Sequence, residues 1–300
     1  MKNNIKTTFD IHDLELLSGI KAHTIRIWEK RYDFLDPERK SRQVRVYSIE
    51  HLKKMLNAKM LYENGYKISK IAAYTQEEIK EKCLEISRTK NSDEYSINTF
   101  IISMFTLDES LFNRAYNALS ENRSFFDIYV SIFLPALDRV GVLWQLDSIR
   151  PAHEHFISVL IYQKIVKHLD ALPQAPEEYD QVYVLFLPDG EIHELGLMFV
   201  NYHLRSIGKK TIFLGTSIPT DDLFEISSQF EKVVWITNFT LLRSLNEKKN
   251  FIKTLENLTA CTENTCLIAG RGWEENEKLT IPKHLKTYSN IGSLIETEFL

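Results

Sequence analysis

From residue 182 onwards, short apolar runs alternate with stretches of helical period. The β-rich runs cover 182–187, 211–215, 232–237, 265–270 and 284–289, and the helical patterns lie near 191–206, 219–230, 243–258 and 289–299. This alternation predicts an open, mainly parallel sheet with helices on both faces. Because ligands bind beyond the carboxyl ends of the strands in such sheets, a polar residue that follows a strand is a candidate site residue.

The chain as a whole is predicted to be a multidomain protein with α and α/β parts. We expect a winged helix-turn-helix in residues 1–75, a cap bundle of the four-helix type in residues 76–175, and a flavodoxin-like doubly wound parallel sheet in residues 176–300. The helical patterns of the middle segment lie near 77–88, 94–105, 108–121, 124–144 and 150–169. A charged linker with two prolines, LPQAPEEYD, leads into the third segment.

Composition excludes several protein classes. The chain is 44% hydrophobic and 26% charged, which is ordinary for a globular protein. It shows no N-terminal apolar signal region and no stretch of about 18 apolar residues, so we expect a soluble, cytoplasmic protein that has no membrane partner. The three cysteines have no metal-site spacing with histidine, which favours reduced thiols.

Charge is unevenly distributed along the chain. The net charge is −4, yet residues 1–75 hold 15 Lys and Arg against 9 Asp and Glu, a surplus of six positive charges. A basic N-terminal segment on an acidic remainder indicates nucleic-acid contacts near the N-terminus.

The basic segment has the pattern of a helix-turn-helix. A first helix over residues 11–20 is broken at Gly19, and the stretch KAHTIRIWEKRYDF follows, with Ile25 and Trp28 expected to point inward. The polar stretch LDPERKSRQVRVYS then predicts a small β-hairpin, or wing, and Ser48 is the expected N-cap of the next helix. Guanidinium groups in such an assembly suit phosphates and guanine edges.

Residues 24–52, TIRIWEKRYDFLDPERKSRQVRVYSIEHL, closely resemble the signature of the MerR family of DNA-binding domains. The resemblance covers about 75 residues and implies that the second helix, from Lys21 to Arg31, enters the major groove while the wing lies on phosphates. The DNA-contacting residues that it implies are Lys21, His23, Thr24, Arg26, Arg31, Arg42, Arg45 and Tyr47.

The stretch LFLPDGEIHELGLMF, residues 185–199, places Glu191 and His193 between a buried strand and a helix. A histidine there is more often a structural residue than a ligand. Three details favour a ligand: the sheet-edge position, a carboxylate that can hold one ring nitrogen, and Gly196, which would let a bulky group approach. Zinc is a poor candidate because no second ligand is spaced with His193, and a phosphate loop would need a glycine-rich turn.

The same stretch is similar to the Asp-x-His-x-x-Gly motif of cobalamin-binding domains, with Glu191 in place of Asp. The resemblance implies that His193 is the lower axial ligand of cobalt and that Gly196 belongs to the turn that binds the nucleotide tail. Two further motifs of that family, Ser-x-Leu and Gly-Gly, correspond to Asn238-Phe239-Thr240 and Ala269-Gly270. The resemblance therefore implies that Asn238, Thr240 and Gly270 line the tail pocket.

A second resemblance lies in the helical segment. Trp144 is followed, after nine residues, by Glu154 and His155, a spacing similar to that in the cap bundle of cobalamin-dependent MerR-type photoreceptor repressors. It implies that these three residues lie over the upper face of the corrin. Gln145 stands where light-responsive members carry a histidine, so the resemblance does not extend to the light switch.

These observations lead to one main functional hypothesis. We expect a regulator, not an enzyme, that binds a double-stranded DNA operator, with its oligomerisation controlled by adenosylcobalamin held between the bundle and the α/β domain. A homodimer or a homotetramer would both suit paired half-sites. One alternative is a cobalamin-independent regulator that uses the α/β domain for oligomerisation or partner binding. Another is a corrinoid methyl carrier or mutase subunit, against which the DNA-binding segment argues.

Overall fold

The computed structural model describes residues 8–39, 45–89, 93–174, 177–240, 244–259, 263–270, 273 and 280–300. The chain divides into two compact units, Met1–Ile161 and Tyr162–Leu300. The boundary falls inside one helix, Pro151–Asp170. The finer division into segments 1–75, 76–175 and 176–300 stays a prediction.

The first unit begins with a small three-stranded antiparallel sheet and four helices. In chain order these are β1 (Thr8–Phe9), α1 (Ile11–Ser18), α2 (Ala22–Tyr32), β2 (Glu38–Arg39), β3 (Arg45–Ser48), α3 (Ile49–Glu63) and α4 (Ile68–Ile71). Strand β3 lies between β1 and β2. The order of α1, α2 and the β2–β3 pair is the predicted helix-turn-helix with a wing.

Local capping explains where these helices begin and end. The Asp10 carboxylate accepts the backbone N–H groups of His12 and Asp13 at the start of α1, and Gly19 ends that helix with a φ of +70°. Ser48 caps α3, as predicted, because its hydroxyl accepts the His51 N–H while the His51 ring accepts the Ser48 N–H.

Further helices follow α4 in the described part of the first unit. They are α5 (Gln76–Thr89), α6 (Glu94–Thr106), α7 (Glu109–Ser120), α8 (Phe125–Ile128), α9 (Leu134–Gln145) and α10 (Pro151–Asp170). The last of them, α10, continues into the second unit. The single helix predicted over 124–144 contains a π-helical turn, Tyr129–Phe133, between α8 and α9. Pro135 has no N–H for the carbonyl four residues before it, which accounts for a wider turn there.

The second unit is built on a five-stranded, wholly parallel sheet. Its strands are β4 (Val182–Pro188), β5 (Thr211–Ile218), β6 (Val233–Phe239), β7 (Thr265–Gly270) and β8 (Leu285–Tyr288), in the order β5-β4-β6-β7-β8. Its helices are α11 (Leu195–Ser206), α12 (Thr220–Ser227), α13 (Leu245–Thr259) and α14 (Ile291–Glu298). This order confirms the predicted flavodoxin-like sheet.

The sheet has a hydrophobic core and a topological switch point. Alternate residues such as Val184, Phe186 and Trp235 are fully buried in one cluster with side chains of α12 and α13. The chain leaves β4 for β5 on one side and later returns to β6 on the other. The crevice outside the carboxyl ends of β4 and β6 is therefore where a ligand is expected.

The predicted helix over 191–206 begins four residues later than expected, at Leu195. The reason is local, because the Glu191 carboxylate accepts the backbone N–H groups of Ile192 and His193 and holds them in a turn. The predicted strand 211–215 is longer than expected and reaches Ile218. Gly215, with a φ of +88°, lies at the register irregularity opposite Phe186.

Cys83 and Cys266 are buried free thiols, and burial raises the pKa of both. Cys261 lies outside the described residues. In the part of the chain that the structure describes, no helix has the length and apolarity needed to cross a membrane.

Candidate functional site

Glu191 lies beyond the end of β4, and its side chain is fully buried. One carboxylate oxygen, Oε1, accepts the N–H of Ile192 at 3.0 Å and the N–H of His193 at 3.1 Å. The other oxygen, Oε2, accepts the N–H of Thr240, which follows β6, at 3.1 Å. One carboxylate thus ties together the two loops that flank the switch point.

The environment of Glu191 favours the ionised carboxylate. Burial by itself raises the pKa of Glu191, but hydrogen bonds from the His193 ring and from the N–H groups of His193 and Thr240 outweigh it. The pKa of Glu191 falls to about 2 as a result. A carboxylate with this pKa is an anion at neutral pH, so it can orient an imidazole beside it.

The ring of His193 is held by that carboxylate. Its Nδ1 lies 2.5 Å from Oε1 of Glu191, and 39% of the His193 side chain is exposed. A metal would be bound through the other ring nitrogen, Nε2, because Nδ1 is occupied by the carboxylate. Among the described residues, no three His, Cys, Asp or Glu side chains gather as a metal-binding group. The pair therefore fits a metal that needs one protein ligand.

Two of the predicted tail-pocket residues join the same network. The Asn238 side-chain amide donates to the Thr240 hydroxyl at 3.4 Å, and the backbone of Thr240 is bound to Glu191. Asn238 is nearly buried at the end of β6, whereas Thr240 is exposed. The structure therefore brings Glu191, His193, Asn238 and Thr240 together at one edge of the sheet.

Sequence reasoning missed the end of a third strand, β5, at this edge of the sheet. The Ser217 hydroxyl, near the end of β5, donates to Asp189 at 2.9 Å and accepts the N–H of Gly190 at 3.2 Å. The Ser217 N–H donates to the backbone oxygen of Glu191 at 3.2 Å. Ser217 adopts a φ of +54°, which is unfavourable for a residue with a side chain. The strand-end position of Ser217 was the available sequence signal.

The two predicted glycines have structural roles within the second unit. A Cβ on Gly196 would lie 3.0 Å from Cγ1 of Ile291, so this glycine makes room for α14. A Cβ on Gly270, which has a φ of +138°, would lie 2.2 Å from the backbone oxygen of Phe239. The approach of a ligand was the expected reason for Gly196, and the approach of Ile291 is the observed one. Cofactor contacts of both glycines stay predictions.

Phe239 takes the unspecified middle position of the Ser-x-Leu motif, and its ring is accommodated in the core. The ring lies 4.9 Å from that of Phe251 and 5.3 Å from that of Trp273, measured between centroids. Phe251 belongs to α13. The bulk of Phe239 is therefore directed toward the apolar cluster on the α13 side of the sheet.

The residues predicted for the upper corrin face belong to the first unit. Trp144, near the end of α9, is 46% exposed, and the apolar side chains of Val142 and Leu146 beside it are also exposed. Glu154 ends the first turn of α10 and His155 follows it, with Oε2 of Glu154 3.7 Å from Nδ1 of His155. The Trp144 ring and the His155 imidazole are exposed, and the Glu154 carboxylate is partly exposed.

The predicted DNA-binding helix exposes most of its polar side chains. Ile25 and Trp28 face the core, as expected, while His23, Arg26 and Arg31 are exposed. Lys21 precedes α2 and pairs with Glu15 at 3.2 Å, and the hydroxyl of Thr24 lies 3.3 Å from Nε2 of His23. DNA contacts of these five polar residues stay predictions.

The base of the wing is organised by Glu29 of α2. Its carboxylate accepts the Tyr47 hydroxyl at 2.6 Å and lies 3.3 Å from Nε of Arg45. Tyr47 is completely buried, and burial followed by the bond to Glu29 raises the pKa of Tyr47. Tyr47 thus supports the wing through its hydrogen bond to Glu29. A DNA contact of Tyr47 stays a prediction. Arg42 lies outside the described residues.

Two segments of the chain match known protein families, and two known repressors are similar to most of its length. Residues 9–78 match the family described as MerR HTH family regulatory protein, and residues 97–167 match the family described as B12 binding domain. The chain is 28% identical over 292 residues to the HTH-type transcriptional repressor CarA of Myxococcus xanthus, which covers 95% of this chain and 92% of the relative. It is 25% identical to the repressor CarH of the same organism, over 72% of this chain and 73% of the relative.

A solved structure supports the same fold. The monomethylamine corrinoid protein of Methanosarcina barkeri superimposes with a TM-score of 0.57 at 14% identity, over 68% of this chain and 97% of that protein. At this identity the likeness concerns the fold alone. It confirms the combination of a helical part with a parallel α/β sheet.

Proposed function

We propose that this chain, which joins a MerR-family helix-turn-helix domain to a B12 binding domain, is a transcriptional regulator that binds an operator under the control of adenosylcobalamin. The observation that carries the proposal is the pair formed by buried Glu191 and partly exposed His193 at the switch point of the sheet. A basic helix and a wing supply the DNA-binding part. Two relatives that match most of the chain are named repressors, which favours repression as the outcome.

Specific residues would hold the cofactor. His193 would bind cobalt through Nε2, and Glu191 fixes the ring tautomer because it accepts from Nδ1. Trp144 offers a flat apolar face, while Glu154 and His155 offer polar contacts for an upper ligand such as an adenosyl group. Asn238 and Thr240 would contact the nucleotide tail. When bound, cobalamin would supply a cobalt centre whose ligands can exchange.

Regulation would act through assembly. A MerR-type DNA-binding domain recognises paired half-sites of the operator. We therefore propose that the DNA-binding form is a homodimer or a homotetramer. Cobalamin can change that assembly only by the difference between its affinities for the two states. The proposal therefore requires that the assembled and unassembled forms bind the corrinoid with different affinities.

The test combines an absorption spectrum with DNA binding. Purified full-length protein is mixed with adenosylcobalamin in the dark, and we expect the spectrum of a corrin in which imidazole has replaced the nucleotide base. His193→Ala should lose this spectrum, whereas His284→Ala, which changes a histidine outside the site, should keep it. Operator binding measured by electrophoretic mobility shift, with and without the corrinoid, tests the regulatory part. A protein that neither binds the corrinoid nor changes its DNA affinity contradicts the proposal.

One observation favours a second candidate function. Ile291 of α14 packs beside Gly196, the glycine assigned to the tail-binding turn, so that a Cβ there would lie 3.0 Å from Cγ1 of Ile291. This packing suits an α/β domain that serves for oligomerisation or partner binding without cobalamin. Sedimentation in the dark separates the two candidates, because a mass shift upon addition of adenosylcobalamin is expected only for the first.

A further inference from the structure

One face of helix α2 presents four exposed side chains at helical spacing. They are His23, Arg26, Ile27 and Lys30, which follow the i, i+3, i+4, i+7 pattern of a single helix face. The opposite face carries buried Ile25 and Trp28. We call these four side chains the α2 stripe. Three of them carry nitrogen donors, and Ile27 is the one apolar member.

Ile27 stands out on this surface. It is 46% exposed, and among the described residues of the segment 1–75 the other large exposed apolar side chain is Tyr62. The ring of Tyr62 lies 5.5 Å from that of Trp28, so it packs on the fold. An isolated exposed apolar side chain is ordinary on a protein surface. The position of Ile27 between Arg26 and Lys30 is what calls for a specific partner.

Negative charge is absent from the stripe. The one acidic residue of α2, Glu29, is turned toward the wing, where it binds Arg45 and Tyr47. The stripe therefore holds two cationic side chains, Arg26 and Lys30, an imidazole and a single aliphatic group. A major groove offers such a surface its phosphates, its base acceptors and one apolar group, the C5 methyl of thymine.

We propose that Ile27 is a specificity-determining residue that contacts the C5 methyl of one thymine in each operator half-site. The inference rests on the proposed DNA-binding function and adds to it the chemical identity of one base that is read. Arg26 and Lys30 bind phosphate or base acceptors on either side of this contact. The thymine is distinguished from cytosine at that position by the methyl group that Ile27 covers.

The test uses the full-length chain and a library of random DNA duplexes. Duplexes are selected in parallel with the wild-type protein and with Ile27→Ala, each without and with adenosylcobalamin. We expect the wild-type motif to contain a thymine in each half-site whose enrichment is lost in Ile27→Ala, while the other positions are retained. Ile207→Ala, which removes an aliphatic side chain of similar exposure in the second unit, should select the wild-type motif.

A chemical substitution then isolates the methyl group. Replacing that thymine by deoxyuridine removes only the methyl, and we expect wild-type affinity to fall about fourfold for each half-site, as for the loss of one buried methyl. Ile27→Ala should bind both duplexes equally. The inference is overturned if Ile27→Ala selects the same thymine and keeps the same sensitivity to deoxyuridine. A wild-type protein that enriches no duplex would instead overturn the proposed DNA-binding function.

Discussion

The guanidinium of Arg139 on α9 donates to the Glu94 carboxylate on α6 at 2.6 Å, and the same carboxylate lies 3.5 Å from Nζ of Lys59 on α3. Arg139 also donates to the side-chain oxygen of Asn98 at 2.9 Å. Glu94 therefore links the helix that follows the wing to the helix that carries Trp144. Within the first unit, this contact connects the DNA-binding part to the proposed corrinoid-covering surface.

Replacement of Glu94 by glutamine should destabilise the protein. Burial alone raises the pKa of Glu94, but the hydrogen bond and charge of Arg139, with help from Lys59, lower it overall. We expect Glu94→Gln to lower the free energy of unfolding by about 1–2 kcal/mol at pH 7, measured by urea denaturation. Because the folded-state pKa is lowered, this difference should shrink as the pH falls below the unfolded-state pKa and vanish below the folded-state pKa. Glu50→Gln, which breaks a more exposed pair with Lys53, should cost less than about 0.5 kcal/mol.

The ionisation of Glu191 should make the free energy of unfolding depend on pH in the acid range. Its pKa is about 2 in the folded state, below its ordinary value of 4.5, so its ionised form stabilises the fold above pH 4.5. This contribution, on the order of 3 kcal/mol, should be lost as the pH falls from 4.5 toward 2. Urea denaturation of wild type and Glu191→Gln at several pH values measures it. Glu225→Gln, an exposed control on α12, should leave the pH dependence unchanged. Equal pH profiles for wild type and Glu191→Gln would contradict the assignment.

Glu191 should also govern the imidazole signal of bound corrinoid. Glu191→Ala removes the group that orients His193, so we expect the imidazole-bound spectrum to weaken and corrinoid affinity to fall about 10-fold to 100-fold. Glu191→Asp keeps a carboxylate and should restore most of the signal. A spectrum that is the same in all three proteins would show that His193 needs no such partner.

Gly270 should not tolerate a side chain. A Cβ there would clash with the backbone oxygen of Phe239, and the positive φ adds strain. We expect Gly270→Ala to lower the free energy of unfolding by more than about 3 kcal/mol, or to prevent folding. Gly208→Ala also has a positive φ, of +77°, but nothing lies within 4 Å of its Cβ. It should cost about 1–2 kcal/mol, the strain alone. The loss in the free energy of unfolding is measured for both variants by thermal and urea unfolding. Similar losses for the two variants would exclude the clash at Gly270.

Arg26 and Arg31 should contribute to operator binding. Removal of an arginine that contacts a base should cost about 1–3 kcal/mol and relax specificity, whereas removal of a phosphate contact should reduce the salt dependence of binding. Titrations of Arg26→Ala and Arg31→Ala at several salt concentrations separate the two roles. Arg88→Ala, an exposed arginine on α5, is the control. If Arg26→Ala and Arg31→Ala both bind the operator with wild-type affinity, α2 is not the recognition helix.

Much of the fold follows from local patterns along the chain. The strands of the parallel sheet were found within a few residues of their observed bounds, because a buried strand of such a sheet is a continuous apolar run. The Ser48 cap and the pairing of Glu191 with His193 were also predictable, since each joins residues two or three positions apart. Short separations leave the chain few ways to arrange such groups.

Contacts between distant residues escaped prediction because the sequence pattern does not show which distant residues meet. The hydrogen bond from the Thr240 N–H to the Glu191 carboxylate joins residues 49 positions apart, and no sequence pattern predicted it. Ser217, beside the same loop, gave no recognisable motif. The roles of Gly196 and Gly270 depend on Ile291 and on the Phe239 backbone, which only the folded sheet brings near.

Residue types and their short-range spacing establish the order of helices and strands, the position of the basic helix and the Glu191–His193 pair. Tertiary structure alone decides that Glu94 meets both Lys59 and Arg139, that Ile27 stays exposed, and that Ile291 fills the space beside Gly196. The physical reason is that hydrophobic period and capping act over a few residues, whereas burial and packing depend on every element that reaches the same place.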